Sequence, residues 1–187
     1  MFLRDKEFRK LLKNAYKGGL IIANHDGRIY MSGWGWEMDI KREYLPKTIL
    51  AQIIELAGEV PDEGERFSAT KDGNQMEVGT MEVAISDIGA MAEITKVAIF
   101  PSCGALMRVL TIEPFGKVVL LHENAVQMVN EKCIDNDLGE TAPAGPMYVE
   151  NEGIIWWNNV MRFKVMYKPV DEPEQALVRA LEQIKLG

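Results

Sequence analysis

The stretch Gly27-Arg28-Ile29-Tyr30-Met31-Ser32-Gly33-Trp34-Gly35-Trp36-Glu37-Met38-Asp39-Ile40 reads as the hairpin of a hairpin-then-helix unit. Pro46 then opens the apolar run Ile49-Leu50-Ala51-Gln52-Ile53-Ile54-Glu55-Leu56. The same order returns near the other end. Gly153-Ile154-Ile155-Trp156-Trp157-Asn158-Asn159-Val160-Met161-Arg162-Phe163-Lys164-Val165-Met166 leads through Pro173 into Ala176-Leu177-Val178-Arg179-Ala180-Leu181-Glu182-Gln183-Ile184. All four tryptophans fall inside these two stretches. A unit that cannot bury its apolar face alone must pack against a neighbour. The expected fold is therefore α+β, with about four helices on a mainly antiparallel sheet and pseudo-two-fold symmetry.

Between these stretches the signals alternate. Phe8, Leu11, Leu12, Ala15 and Tyr16 recur at helical spacing, and Gly18-Gly19 ends that helix. Leu20 to Ala23 and Ile29 to Met31 flank Asn24-His25-Asp26-Gly27, where Asp-Gly suits a tight hairpin. Ile49, Ile53 and Ala57 share a face beside Leu50 and Ile54 in a helix that starts near Pro46 and stops at Gly58. Strands are expected over Phe67 to Thr70, Met76 to Ile85, Val97 to Phe100, Ala105 to Ile112 and Lys117 to Leu121. Ser86 to Thr95 fits either a short helix or a strand edge. Ala125, Met128, Val129 and Cys133 are spaced for a third main helix, and Asp135 to Pro146 is loop. Asp171 and Glu174 cap the last helix, whose buried stripe is Leu177, Ala180, Leu181 and Ile184.

A chain of 187 residues with 47% hydrophobic content makes one domain, or two lobes meeting near 86–100. The net charge of −7 argues against a general nucleic-acid binder. It is unevenly placed: residues 1–18 carry +4, which leaves −11 on the rest. An acidic body can meet a basic surface on a partner. Cys103 and Cys133 are the only cysteines, too few for a disulfide scaffold, and no apolar run approaches the ~18 residues of a membrane helix. A cytoplasmic protein is expected.

Four groups of residues are candidates for function. Trp34 and Trp36, two apart on a strand, should point to one side, while Trp156 and Trp157 should point to opposite faces. They are either core between the two copies or anchors for a partner, since Trp is favoured at binding hot spots. Lys6, Lys10, Lys13 and Lys17 form a basic stripe opposite the apolar face of the first helix, suited to solvent or to RNA phosphates. Asp62, Glu63 and Glu65 in one loop, and Asp135, Asp137 and Glu140 in another, are solvated carboxylates or a mimic of a phosphate backbone. The second loop lacks the distal Glu and the glycine offset of a calcium loop. Pro101-Ser102-Cys103-Gly104 carries two possible nucleophiles, and an enzyme would rest on Cys103 with His25 or His122, or on the loop carboxylates. Ser102-Cys103 has no nucleophile-elbow frame, the cysteines and histidines lack zinc spacing, and no phosphate-binding glycine motif occurs. No cofactor, metal or catalytic residue is expected.

Lys17-Gly18-Gly19-Leu20-Ile21-Ile22, Trp34-Gly35-Trp36 and Glu59-Val60-Pro61-Asp62-Glu63-Gly64-Glu65 resemble small accessory proteins of phages and mobile elements, among them anti-CRISPR inhibitors of Cas9-type nucleases. The resemblance covers about the first third of the chain and carries no functional residues over. It implies a non-enzymatic protein-binding module that keeps a guide-RNA-loaded nuclease from binding or cutting target DNA. Its acidic loops would compete for the basic DNA channel, and its lysines would meet the guide. The alternatives are a small cytosolic enzyme built on Cys103, or a nucleic-acid-binding accessory protein acting through the first helix.

Overall fold

The computed structural model describes residues 1–77, 89–101, 104–168 and 172–184. In chain order these form α1 (Asp5–Tyr16), β1 (Leu20–His25), β2 (Arg28–Gly33), β3 (Trp36–Lys41), α2 (Lys47–Ala57), β4 (Arg66–Thr70) and β5 (Gly73–Met76). They continue with β6 (Ala90–Ile99), β7 (Met107–Ile112), β8 (Lys117–His122), α3 (Glu123–Met128), β9 (Ala144–Val149), β10 (Gly153–Trp157), β11 (Met161–Val165) and α4 (Glu172–Glu182). The class is α+β and strand dominates it. Every strand pair with a described register is antiparallel.

The chain divides into two compact units. One draws on Met1–Ala84, Asn130–Pro143 and Trp157–Lys164, the other on Ile85–Val129, Ala144–Trp156 and Val165–Gly187. Each is assembled from three segments.

In the first unit the strands run β5-β4-β1-β2-β3-β11. Asp26 (φ 50) and Gly27 (φ 67) both take left-handed backbone, which a two-residue type I′ hairpin turn requires. Strand alternation then sorts the sheet into two faces. Leu20, Ile22, Ile29, Met31, Trp36, Met38, Ile40, Phe67 and Ala69 are buried on one of them. Helix α1 supplies Phe8 and Leu12 to this core, and α2 supplies Ile49 and Ile53. Each such side chain contributes roughly 1.5–3 kcal/mol when fully buried. Pro46 precedes α2, and Gly58 (φ 80) closes it by donating its N–H to the Ile54 carbonyl. Ile54 itself is exposed, because the buried stripe runs through Ile49, Gln52 and Ile53.

The opposite face of this sheet mixes Ile21, Ala23 and Tyr30 with charged and polar side chains. Cross-strand partners share a face, so the pairs Arg28 with Lys41, Tyr30 with Asp39 and Ser32 with Glu37 all project there.

The second unit orders its strands β10-β9-β6-β7-β8. Val178 and Leu181 of α4 pack on Met107, Val109, Val118 and Leu120. This corrects the expected stripe: Leu177, Ala180 and Ile184 are exposed, and the buried line runs Glu174, Val178, Leu181. Glu174 pairs with Lys168 on this line, while Asp171 lies outside the described residues. The third main helix is also corrected. It stops at Met128 because Val129 is extended (ψ 126), and a separate 3-10 turn, Glu131–Cys133, follows under an Asn130 cap. The ambiguous segment is strand from Ala90 onward, the strand expected at Ala105 starts at Met107, and the strand expected to begin at Met76 instead ends there. Residues 78–88 lie outside the described set.

Candidate functional site

Gly33 pairs directly with Trp36, so Trp34 and Gly35 are the two-residue turn joining β2 to β3. A turn residue escapes strand alternation, and this corrects the expectation that the two rings share a side. Trp34 is 99% exposed, whereas Trp36 is 5% exposed and meets Phe8 edge-on, with ring centroids 5.7 Å apart at 79°. Gly35 (φ 77) supplies the left-handed position that the turn needs. Gly33 has a different reason. A Cβ there would lie 2.6 Å from the Ala15 Cβ and 2.7 Å from the Trp36 Nε1. Only a bare Cα lets the strand end touch the last turn of α1 and the indole beneath it, so the base from which Trp34 projects is packed.

The lysine stripe stands on that same helix. Lys6, Lys10, Lys13 and Lys17 are all exposed, opposite the buried Phe8 and Leu12. Lys10 pairs with Glu7 at 3.0 Å, Lys13 lies 3.8 Å from Glu55, and Lys17 donates to the Asn14 side chain at 3.2 Å. Exposed pairs of this kind contribute little and yield readily to a stronger anion.

The two acidic loops differ. Asp62, Glu63 and Glu65 are exposed, and their loop hangs from one buried side chain. Asn24 donates its Nδ2 to the Pro61 carbonyl at 3.0 Å, and its backbone exchanges hydrogen bonds with Gly64 and Glu65. Near this loop, ligand atoms of His25, Asp26 and Glu63 lie within 4.8 Å of one another. One imidazole and two carboxylates are a donor set of the kind a divalent cation takes, here largely open to water. In the other loop Asp135 and Asp137 are exposed, and Asp135 Oδ1 accepts from the Asp137 and Leu138 amides. Glu140 is a correction. It is 5% exposed and accepts from the Met1 amino group at 2.5 and 2.6 Å, so it holds the fold and presents nothing to a partner.

Of the remaining candidates, Trp156 is buried (2% exposed) and Trp157 is half-buried, which leaves Trp34 as the exposed indole. Trp36 and Trp156 are core residues. Cys103 and Ser102 lie outside the described residues, and Cys133 is a free, exposed thiol. His122 caps α3, its Nδ1 accepting from the Asn124 amide at 3.3 Å.

Three charged clusters were not visible in the sequence. Asp39, fully buried in mid-strand, accepts from Arg28 Nε at 2.7 Å and from Arg162 Nε at 2.6 Å. Burial raises its carboxyl above the usual range, against the charge and hydrogen bonds of both arginines. In the second unit Arg108 makes a two-pronged pair with Glu123, at 2.7 and 2.6 Å. The Arg108 hydrogen bond, aided by Gln127, holds Glu123 below the usual range despite burial. Lys117 donates to the Tyr148 hydroxyl, which raises the lysine. Burial outweighs that contact at Tyr148 and raises the phenol too, so it is no ready base. Arg162 lies 123 residues from Asp39 in the chain, so only topology reveals the first cluster. The alternation Glu37-Met38-Asp39-Ile40 was the one available hint, since it puts two carboxylates on the face away from the core.

No helix among the described residues is long and apolar enough to cross a membrane. No protein-family model, no curated protein and no solved structure matches the chain.

Proposed function

We propose that this chain is a non-catalytic, cytoplasmic protein-binding module, in its most concrete form a phage-type inhibitor of a guide-RNA-loaded Cas9-type nuclease. The observation that carries the reading is Trp34. An indole 99% exposed, on a turn anchored by Gly33, Ala15 and Trp36, leaves its full apolar area to a partner. Tryptophan in such a setting is the residue type that dominates binding energy, and a packed base limits the ordering cost of docking it. The exposed Asp62, Glu63, Glu65, Asp135 and Asp137 support the charge side of the reading, since they suit a basic channel. In the same reading the two hairpin-then-helix stretches are copies of one unit. Failure of residues 27–56 and 153–184 to superpose in a crystal structure would end that part.

The test is target-DNA cleavage by guide-loaded Cas9 titrated with this protein, with co-elution followed on a sizing column. Inhibition with co-elution, lost in Trp34→Ala while the urea midpoint stays put, is the expected result. Neither inhibition nor co-elution would remove the nuclease reading, and full inhibition by Trp34→Ala would remove Trp34 as its anchor.

A further inference from the structure

We infer that His25, Asp26 and Glu63 form a site for one divalent transition-metal ion of the zinc class. The inference stands apart from the nuclease reading, because zinc binding is read on this protein alone. It gives Glu63 a role that its place in an acidic run conceals. The three ligands come from two stretches that only the fold unites. His25 ends β1 and Asp26 opens the turn to β2, while Glu63 lies in the loop ahead of β4. Asn24, fully buried beside His25, fixes that loop on both sides of Glu63. Its side chain donates to the Pro61 carbonyl at 3.0 Å, and its own carbonyl accepts from the Gly64 amide at 2.7 Å. Its amide donates to the Glu65 carbonyl at 3.0 Å. Glu63 is therefore held beside the turn by the fold itself.

Charge and chemistry select the ion. Asp26 and Glu63 bring carboxylate oxygens within 4.8 Å of each other and of the imidazole. Among the described residues no lysine or arginine pairs with either carboxylate. Like charges at that range repel, and a bound cation relieves the repulsion. The imidazole narrows the class. Magnesium and calcium take oxygen donors, whereas a nitrogen donor suits zinc and its neighbours. Spacing agrees. Tetrahedral ligands at zinc bond lengths stand roughly 3.4 Å from one another. His25 Nε2 lies 3.3 Å from Asp26 Oδ2. The exposed Glu63 side chain is free to close the remaining distance, and water takes the fourth position. The ion ties the β1–β2 turn to the loop ahead of β4.

The experiment is isothermal titration of the full chain with ZnCl2, in parallel with MgCl2, while NMR follows the ring signals of both histidines. One equivalent of zinc should bind, shifting the His25 ring signals and leaving those of His122 in place. Magnesium at the same concentration should move neither. His25→Ala and Glu63→Gln should each weaken zinc about 10–100-fold, at least what loss of an outer-sphere partner costs. Both side chains reach solvent, so the metal-free urea midpoints of the variants should match the parent, which separates a lost ligand from a lost fold. Unchanged zinc affinity in either variant would overturn the site. Magnesium binding as tight as zinc would overturn it too, reducing the cluster to a patch of acidic charge. So would zinc binding that shifts His122 alone. If zinc binds and the nuclease does not co-elute, the metal site stands and the inhibitor reading falls. If the nuclease co-elutes and zinc does not bind, the metal site falls and the inhibitor reading stands.

Discussion

Asp39 in the first unit and Glu123 in the second are both buried carboxylates held by arginine, yet they titrate in opposite directions. Asp39 has two guanidiniums, and its carboxyl still sits above the usual range. Glu123 has one guanidinium, with help from Gln127, and sits below it. The number of partners therefore does not decide the sign. Depth does. Asp39 lies between Met38 and Ile40, both fully buried, in the middle of β3. Glu123 lies between the exposed His122 and Asn124, where a strand gives way to a helix. Low dielectric strengthens an ion pair, but it penalises each bare charge more, and a mid-sheet position carries that penalty in full.

The largest expected effect separates charge from shape at Asp39. Asp39→Ala leaves Arg28 and Arg162 facing a hole and should cost about 3 kcal/mol in urea unfolding. Asp39→Asn keeps the hydrogen-bonding shape without the charge and should cost less than half of that. Equal losses would mean that the ion pair outweighs desolvation after all.

A smaller effect lies in the pH dependence. A raised carboxyl gives stability that is complete below its unfolded value and is lost as pH rises through its folded value. A lowered carboxyl gives stability that is present above its unfolded value and is lost as pH falls through its folded value. The stability of the parent relative to Asp39→Asn should therefore shrink as pH rises from the acid side, while its stability relative to Glu123→Gln should grow. Parallel pH profiles of the two differences would show that the carboxylates do not differ in sign.

The finest effect is in the titrations themselves. Arg28→Gln should move the Asp39 carboxyl further up in a carbon-13 NMR titration, and Arg108→Gln should bring Glu123 up toward the ordinary range. Residues across the other unit's cluster should not respond. An Asp39 midpoint that falls in Arg28→Gln would contradict the assigned balance of burial and charge.

Much of the first unit was legible from local chemistry. Asp26-Gly27 demands a type I′ turn, Pro46 and Gly58 bound α2, and the spacing of Phe8 and Leu12 sets the buried side of α1 with the lysines opposite. What escaped depended on one residue of register or on distant chain. Counting Trp34 as a strand residue put both indoles on one side, although a single two-residue turn separates 99% from 5% exposure. In α4 the apolar residues outnumber the sites on one face, so periodicity alone could not choose Val178 over Leu177. Glu140 reads as one more loop acid until the fold brings the amino group of Met1 to it.

Gly33 has a consequence for anyone wishing to change what this protein recognises. A methyl group there would overlap both α1 and the Trp36 ring, so the smallest possible substitution acts as a wedge beneath the hairpin. Position 33 is thus a steering point: it can re-aim the exposed indole without altering the indole, the lysines or any acidic loop.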